Sequence, residues 1–140
     1  MTAIAARPSE MDEQNLSRIL VVEDDPVIGT AAALALQETG GFTVEVCCSG
    51  QKAVGAAKRF HPDLLLLDAN LPGMDGAATL KALRHQPDFS DLPVIFMTGR
   101  AHPEAVNGYH AMGALGVIAK PFDPMALAAR VQTLWKGAHG

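Results

Sequence analysis

Leu64 to Leu67 are consecutive leucines, and the residue that ends the run, Asp68, is followed at once by Ala-Asn-Leu-Pro-Gly-Met-Asp-Gly. So apolar a stretch, bounded by turn residues, reads as a central strand buried on both faces. Asp68 therefore emerges from a core into a loop. Burying a carboxylate costs several kcal/mol unless it is paired or coordinated, so a cation has to meet it there.

The rest of the chain repeats the strand and separates its copies with helices. Apolar runs occur at Arg18–Glu23, Phe42–Cys47, Asp63–Asp68, Pro93–Thr98 and Leu115–Ala119. Asp25-Pro26 caps a first helix and Gly40-Gly41 ends it; Ser49, Asp75 and Asp123-Pro124 open the second, third and fifth. The fourth, around Pro103–Met112, contains Gly108 and is the weakest, which predicts mobility there. Strict alternation of this kind implies an α/β fold, a doubly wound parallel sheet with helices on both faces. Ligands of such sheets bind beyond the carboxyl ends of the strands.

Composition fits one domain. The chain has 140 residues, 49% of them apolar, enough for one core. A net charge of −4 without a Lys/Arg cluster argues against nucleic acid or an anionic membrane as the main partner. Cys47 and Cys48 are adjacent, so on a strand they face opposite ways and suit neither a metal pair nor a disulfide; core packing in a reducing compartment is the expectation. No segment reaches the length of a membrane span, and the first 17 residues lack the pattern of a secretory signal, so a cytoplasmic location is expected. Ser9 to Asp12 could open a short helix, but residues 1–17 read better as a flexible tail.

Chemistry concentrates where the fold class says it should. The first strand ends in Glu23-Asp24-Asp25, the third in Asp68, the fourth in Thr98-Gly99 and the fifth in Lys120-Pro121. Clustered carboxylates repel, and a divalent cation is the usual remedy. With oxygen ligands and no Cys or His at a productive strand end, Mg²⁺ or Mn²⁺ suits the set better than Zn²⁺. A carboxylate beside such an ion is a competent nucleophile toward phosphorus. Lys120 and Thr98 are the groups available to neutralise the oxygens of a transferred phosphoryl.

Ile19-Leu-Val-Val-Glu-Asp-Asp-Pro26, Asp68 with Leu71-Pro-Gly-Met-Asp-Gly76, Val94-Ile-Phe-Met-Thr98 and Lys120-Pro-Phe122 together resemble the receiver domain of two-component response regulators. The resemblance covers about residues 18–136, leaving 1–17 and 137–140 as tails. It implies a five-stranded, flavodoxin-like sheet of order 2-1-3-4-5, an order known from receiver proteins. By the same resemblance Asp68 is the phosphoacceptor, Asp24 a direct metal ligand and Glu23 a ligand through water. Asn70 would offer its backbone carbonyl to the metal, so its side chain is not the test. Thr98 and Lys120 would hold phosphoryl oxygens, and Lys120-Pro121 resembles the family's cis peptide. Asp25, one place past the acidic pair, is assigned to the helix cap. The implied donor is a phosphohistidine on a sensor histidine kinase or a histidine phosphotransfer protein. Output is then expected through a downstream protein, with the chain monomeric or dimerising on phosphorylation. It would catalyse only its own phosphorylation and dephosphorylation, without turning over a free substrate. The alternatives are a phosphorelay intermediate or phosphate sink, the receiver part of a longer regulator, a pseudo-receiver, and a Toprim-like or other Mg²⁺-dependent phosphotransfer enzyme.

The sequence departs from the family at Val117, where receivers commonly carry Tyr or Phe. A β-branched side chain cannot make the rotameric swing attributed to that aromatic, and Tyr109 is a candidate substitute. Gly99 leaves room above the site, and Arg100 is expected to shield a phosphoryl group from water. His61, His85, His102, His110 and His139 lack ligand spacing and read as surface residues; Met74 and Phe122 read as packing beside the site, and Gly76 as the glycine of a close turn. Trp135 and Ala128 fall on a separate stripe from Leu127, Val131 and Leu134, so Trp135 covers the core edge or marks a partner surface.

Overall fold

The computed structural model describes residues 15–139. Five strands, β1 (Arg18–Val22), β2 (Thr43–Cys47), β3 (Leu64–Asp68), β4 (Val94–Thr98) and β5 (Gly116–Ala119), form one parallel sheet in the order β2-β1-β3-β4-β5. Each begins or ends within one residue of the run read from the sequence. Between them lie α1 (Pro26–Gly40), α2 (Gly50–Phe60), α3 (Gly76–Arg84) and α4 (Pro103–Ala111); α5 (Leu127–His139) follows β5. The expectation for residues 1–14, including a helix from Ser9, lies outside the described residues.

Strand periodicity divides the core in two. Leu20, Val22, Leu65, Leu67, Val94 and Phe96 face α2, α3 and α4, whereas Ile19, Val21, Leu64, Leu66, Ile95 and Met97 face α1 and α5. All four leucines of β3 are fully buried, each contributing roughly 1.5–3 kcal/mol relative to exposure.

Local chemistry fixes the helix ends. Asp25 Oδ1 accepts the backbone N–H of Val27 at 2.9 Å, and Gly41 closes α1 at φ 71°. Ser49 and Asp75 cap α2 and α3 through Lys52 N–H and Ala78 N–H. Asp123 caps a turn, through Met125 N–H at 2.9 Å, that precedes α5 by a few residues. The helix then runs to His139, into the 137–140 stretch read as a tail, where the His139 ring stacks on Trp135 at 3.8 Å.

Trp135 is a correction to the sequence reading. It is only 4% exposed and belongs to the core with Ala128, whereas Leu134 is half-buried. The reason is that α5 packs against α1 as well as the sheet, so two of its stripes are covered rather than one. Of the two readings, covering the core is the one its burial supports, and the correction concerns the stripe: Trp135, not Leu134, is the buried member. Cys47 is buried, with burial pushing its thiol upward from 9.0, and Cys48 is exposed.

Candidate functional site

Parallel register assembles the site. Val22 pairs with Leu67, so the next residues, Glu23 and Asp68, stand side by side at the carboxyl ends of β1 and β3. Thr98 pairs with Ala119, which sets Lys120 one step beyond the end of β4. The close packing of α3 beneath the β3 loop depends on Gly76, where a Cβ would lie 2.7 Å from the Asp68 carbonyl oxygen.

Asp68 and Glu23 are almost wholly buried, and Asp24 is exposed. Carboxylate oxygens of Glu23, Asp24 and Asp68 lie within 4.8 Å of one another. The Lys120 ammonium donates to Glu23 Oε1 at 2.9 Å and sits 3.3 Å from Asp68 Oδ2. Asp68 Oδ1 accepts the Asn70 backbone N–H at 3.0 Å, and Glu23 Oε2 accepts that of Asp25 at 3.1 Å. Burial, reinforced by the Asp68 charge, raises the Glu23 carboxyl above 4.5 despite these hydrogen bonds. Burial also pulls the Lys120 ammonium down, but the hydrogen bond and charge of Glu23 and the charge of Asp68 outweigh it and hold Lys120 above 10.5. One ammonium against three carboxylates leaves the cluster negative. An all-oxygen set with that surplus, open on the Asp24 side, fits a hard divalent cation.

Thr98 is fully buried, and its Oγ1 accepts the Arg100 backbone N–H at 3.0 Å and the Asn70 side-chain amide at 3.4 Å. The side chain of Asn70, set aside in the sequence reading, thus spans the gap between β3 and β4. Its position two residues past Asp68 was the available signal. The Arg100 side chain is exposed, and only its backbone reaches Thr98. A Cβ built at Gly99 meets nothing within 4 Å, so the space above Thr98 is open. The Lys120–Pro121 peptide is cis. Asp25 serves as the α1 cap, as read.

Val117 is half-buried beside Phe96. Phe96 instead stacks on Tyr109 of α4, with centroids 4.6 Å apart and planes at 26°. An apolar rim borders the carboxylates: Val27 and Met125 are 76% and 78% exposed, and a shallow cavity of about 180 Å³ runs from Val27 and Ala31 to Lys120 and Phe122.

Comparison with known proteins decides the family, since the response regulator receiver domain matches residues 19–132. The chain belongs to that family. The receiver is similar to the transcriptional regulatory protein CseB of Streptomyces coelicolor, 39% identical over 119 residues, which are 84% of this chain and 49% of CseB. It therefore spans about half the length of the curated relatives it matches. Among solved structures it resembles the chemotaxis protein CheY4 of Vibrio cholerae, with a TM-score of 0.78 and 30% identity over 86% of this chain and 99% of that one. The BeF3-activated receiver domain of Klebsiella pneumoniae RstA gives 0.74 and 33%, over 86% and 99%. The strand order and flavodoxin-like architecture expected from the sequence are those of this family. Among the described residues no helix is long and apolar enough to cross a membrane.

Proposed function

We propose that this receiver takes a phosphoryl group from a phosphohistidine onto Asp68 and signals through altered protein contacts. The observation that carries the reading is the buried Asp68 carboxylate, 3.3 Å from the Lys120 ammonium and grouped with Glu23 and Asp24. In the transfer an Asp68 oxygen forms a bond to phosphorus as the bond to the donor imidazole nitrogen breaks, and that nitrogen keeps the electron pair. Lys120 neutralises one phosphoryl oxygen, and the Thr98 hydroxyl donates to another. Asp24, Asp68 and the Asn70 backbone carbonyl would hold Mg²⁺ or Mn²⁺, with Glu23 acting through water. The bound ion supplies positive charge against the phosphoryl oxygens. The chain catalyses only its own phosphorylation and dephosphorylation.

The apolar rim formed by exposed Val27 and half-buried Ala31 and Phe122 supports docking of a sensor kinase or histidine phosphotransfer protein beside the acceptor. For output, Thr98 and Phe96 share one face of β4, and Phe96 stacks on Tyr109. That stack offers a path to α4 which needs no aromatic at position 117. Val117 itself favours a second reading, a phosphorelay intermediate or sink, whose mark is rapid return of the phosphoryl group to a histidine protein.

The test is incubation with acetyl phosphate and Mg²⁺ followed by intact mass measurement. A gain of one phosphoryl group, lost in Asp68→Ala and in the presence of EDTA, is expected. An adduct that survives Asp68→Ala refutes the assignment.

A further inference from the structure

Away from the carboxylates, a groove of about 570 Å³ lies between α3 and the end of α4. Small side chains open it. Ala77 and Ala78 stand on the exposed side of α3, while α4 has no fully buried residue and packs on β5. Leu80 and Met112 complete an apolar floor, and Met112 brings an adaptable side chain.

The wall is cationic in a chain whose net charge is −4. Lys81 is exposed, and Arg84 lines the groove four residues after Leu80, on the neighbouring turn. Arg84 donates to the carbonyl oxygens of Met112 at 2.6 Å and Leu92 at 3.4 Å. Those acceptors are backbone carbonyls, which carry no formal charge, so they give the guanidinium no ionic partner. Among the described residues no carboxylate lies within 4 Å of the charged nitrogens of Lys81 or Arg84. The Arg84 Nε is buried without an acceptor.

We infer that the groove between α3 and α4 is the docking site for an acidic amphipathic helix of a partner protein. Apolar side chains at helical spacing fill the Ala77, Ala78 and Met112 floor, and flanking carboxylates meet Lys81 and Arg84. Charge complementarity selects an acidic segment. An open groove running along a helix of nine residues matches about two and a half turns of a partner helix. This names the class of partner that the receiver reading leaves open, and in that respect rests on it.

The test uses the full, unphosphorylated chain, so its outcome is independent of whether Asp68 accepts phosphate. A displayed library of helical peptides is selected against it, and affinities of the enriched peptides are measured for the parent, Lys81→Glu, Ala78→Gln and, as a control on α2, Lys58→Glu. Enriched peptides should be net acidic with apolar residues at helical spacing. Lys81→Glu should weaken them about fivefold or more, Ala78→Gln should also weaken them, and Lys58→Glu should not. Circular dichroism melting of each variant checks that it is folded. No enrichment, enrichment of neutral or basic peptides, or unchanged affinity in both groove variants overturns the proposal. So does a dimer of the chain that dissociates with Lys81→Glu, because the occupant is then a second copy.

Discussion

Lys120 gives one ammonium to two buried carboxylates, and the consequences can be read at single residues. Because burial raises the Glu23 carboxyl above 4.5, folding favours its protonated form. Its contribution is therefore fully present below the ordinary value of 4.5 and is lost as pH rises through the raised one. In metal-free protein the melting temperature of Glu23→Gln, relative to the parent, should rise between weakly acidic and neutral pH; a flat difference contradicts the shift. Arg100 holds Thr98 through its backbone, which leaves its side chain to act on solvent at the open space above Gly99. If that guanidinium pairs with the phosphoryl group, Arg100→Glu should shorten the phosphoryl half-life measured by decay of the mass adduct. An equal or longer half-life removes Arg100 from the account. The acids and Lys120 were legible in the sequence because strand ends expose them and register aligns them. The Asn70 side-chain bond to Thr98 was not, because a loop amide's direction depends on the neighbouring strand.

At the scale of elements, α4 packs on β5 and meets the core through one aromatic stack. Tyr109 stacks on Phe96, and no residue of the helix is fully buried. Such a pair contributes about 0.5–1.5 kcal/mol beyond its buried area. Tyr109→Ala should therefore speed amide hydrogen exchange across Pro103–Ala111 while leaving β1 and β3 protected. Exchange unchanged in α4 would show that β5 alone anchors it. The expectation of a weak helix at Gly108 awaits that exchange measurement, whereas the caps of α1, α2 and α3 were legible because each is a contact between near neighbours. Trp135 was misjudged for the opposite reason. Helical periodicity groups residues by face, but which faces are covered depends on α1, an element distant in sequence.

For the whole molecule, the sheet and the helices must meet closely wherever the chain turns under the site. Gly76 is one such place, since a Cβ there would press on the backbone of Asp68 and Ala69. Gly76→Ala should destabilise the fold by about 1–3 kcal/mol, read by denaturant titration, and lower acetyl phosphate labelling in the same variant. Full stability with normal labelling would mean that the loop yields freely. The alternation of strand and helix made the architecture legible, because a parallel sheet is the only economical way to connect such a chain.

β4 carries two different tasks on one side, Thr98 at the carboxylates and Phe96 beneath Tyr109. Successive strand residues face opposite ways, so inserting one residue at the start of β4 would turn both side chains into the α1 and α5 layer together. Chemistry and helix docking are thus indexed by a single parity. A lineage can exchange either side chain separately, but it can change the strand's length only in steps that keep both.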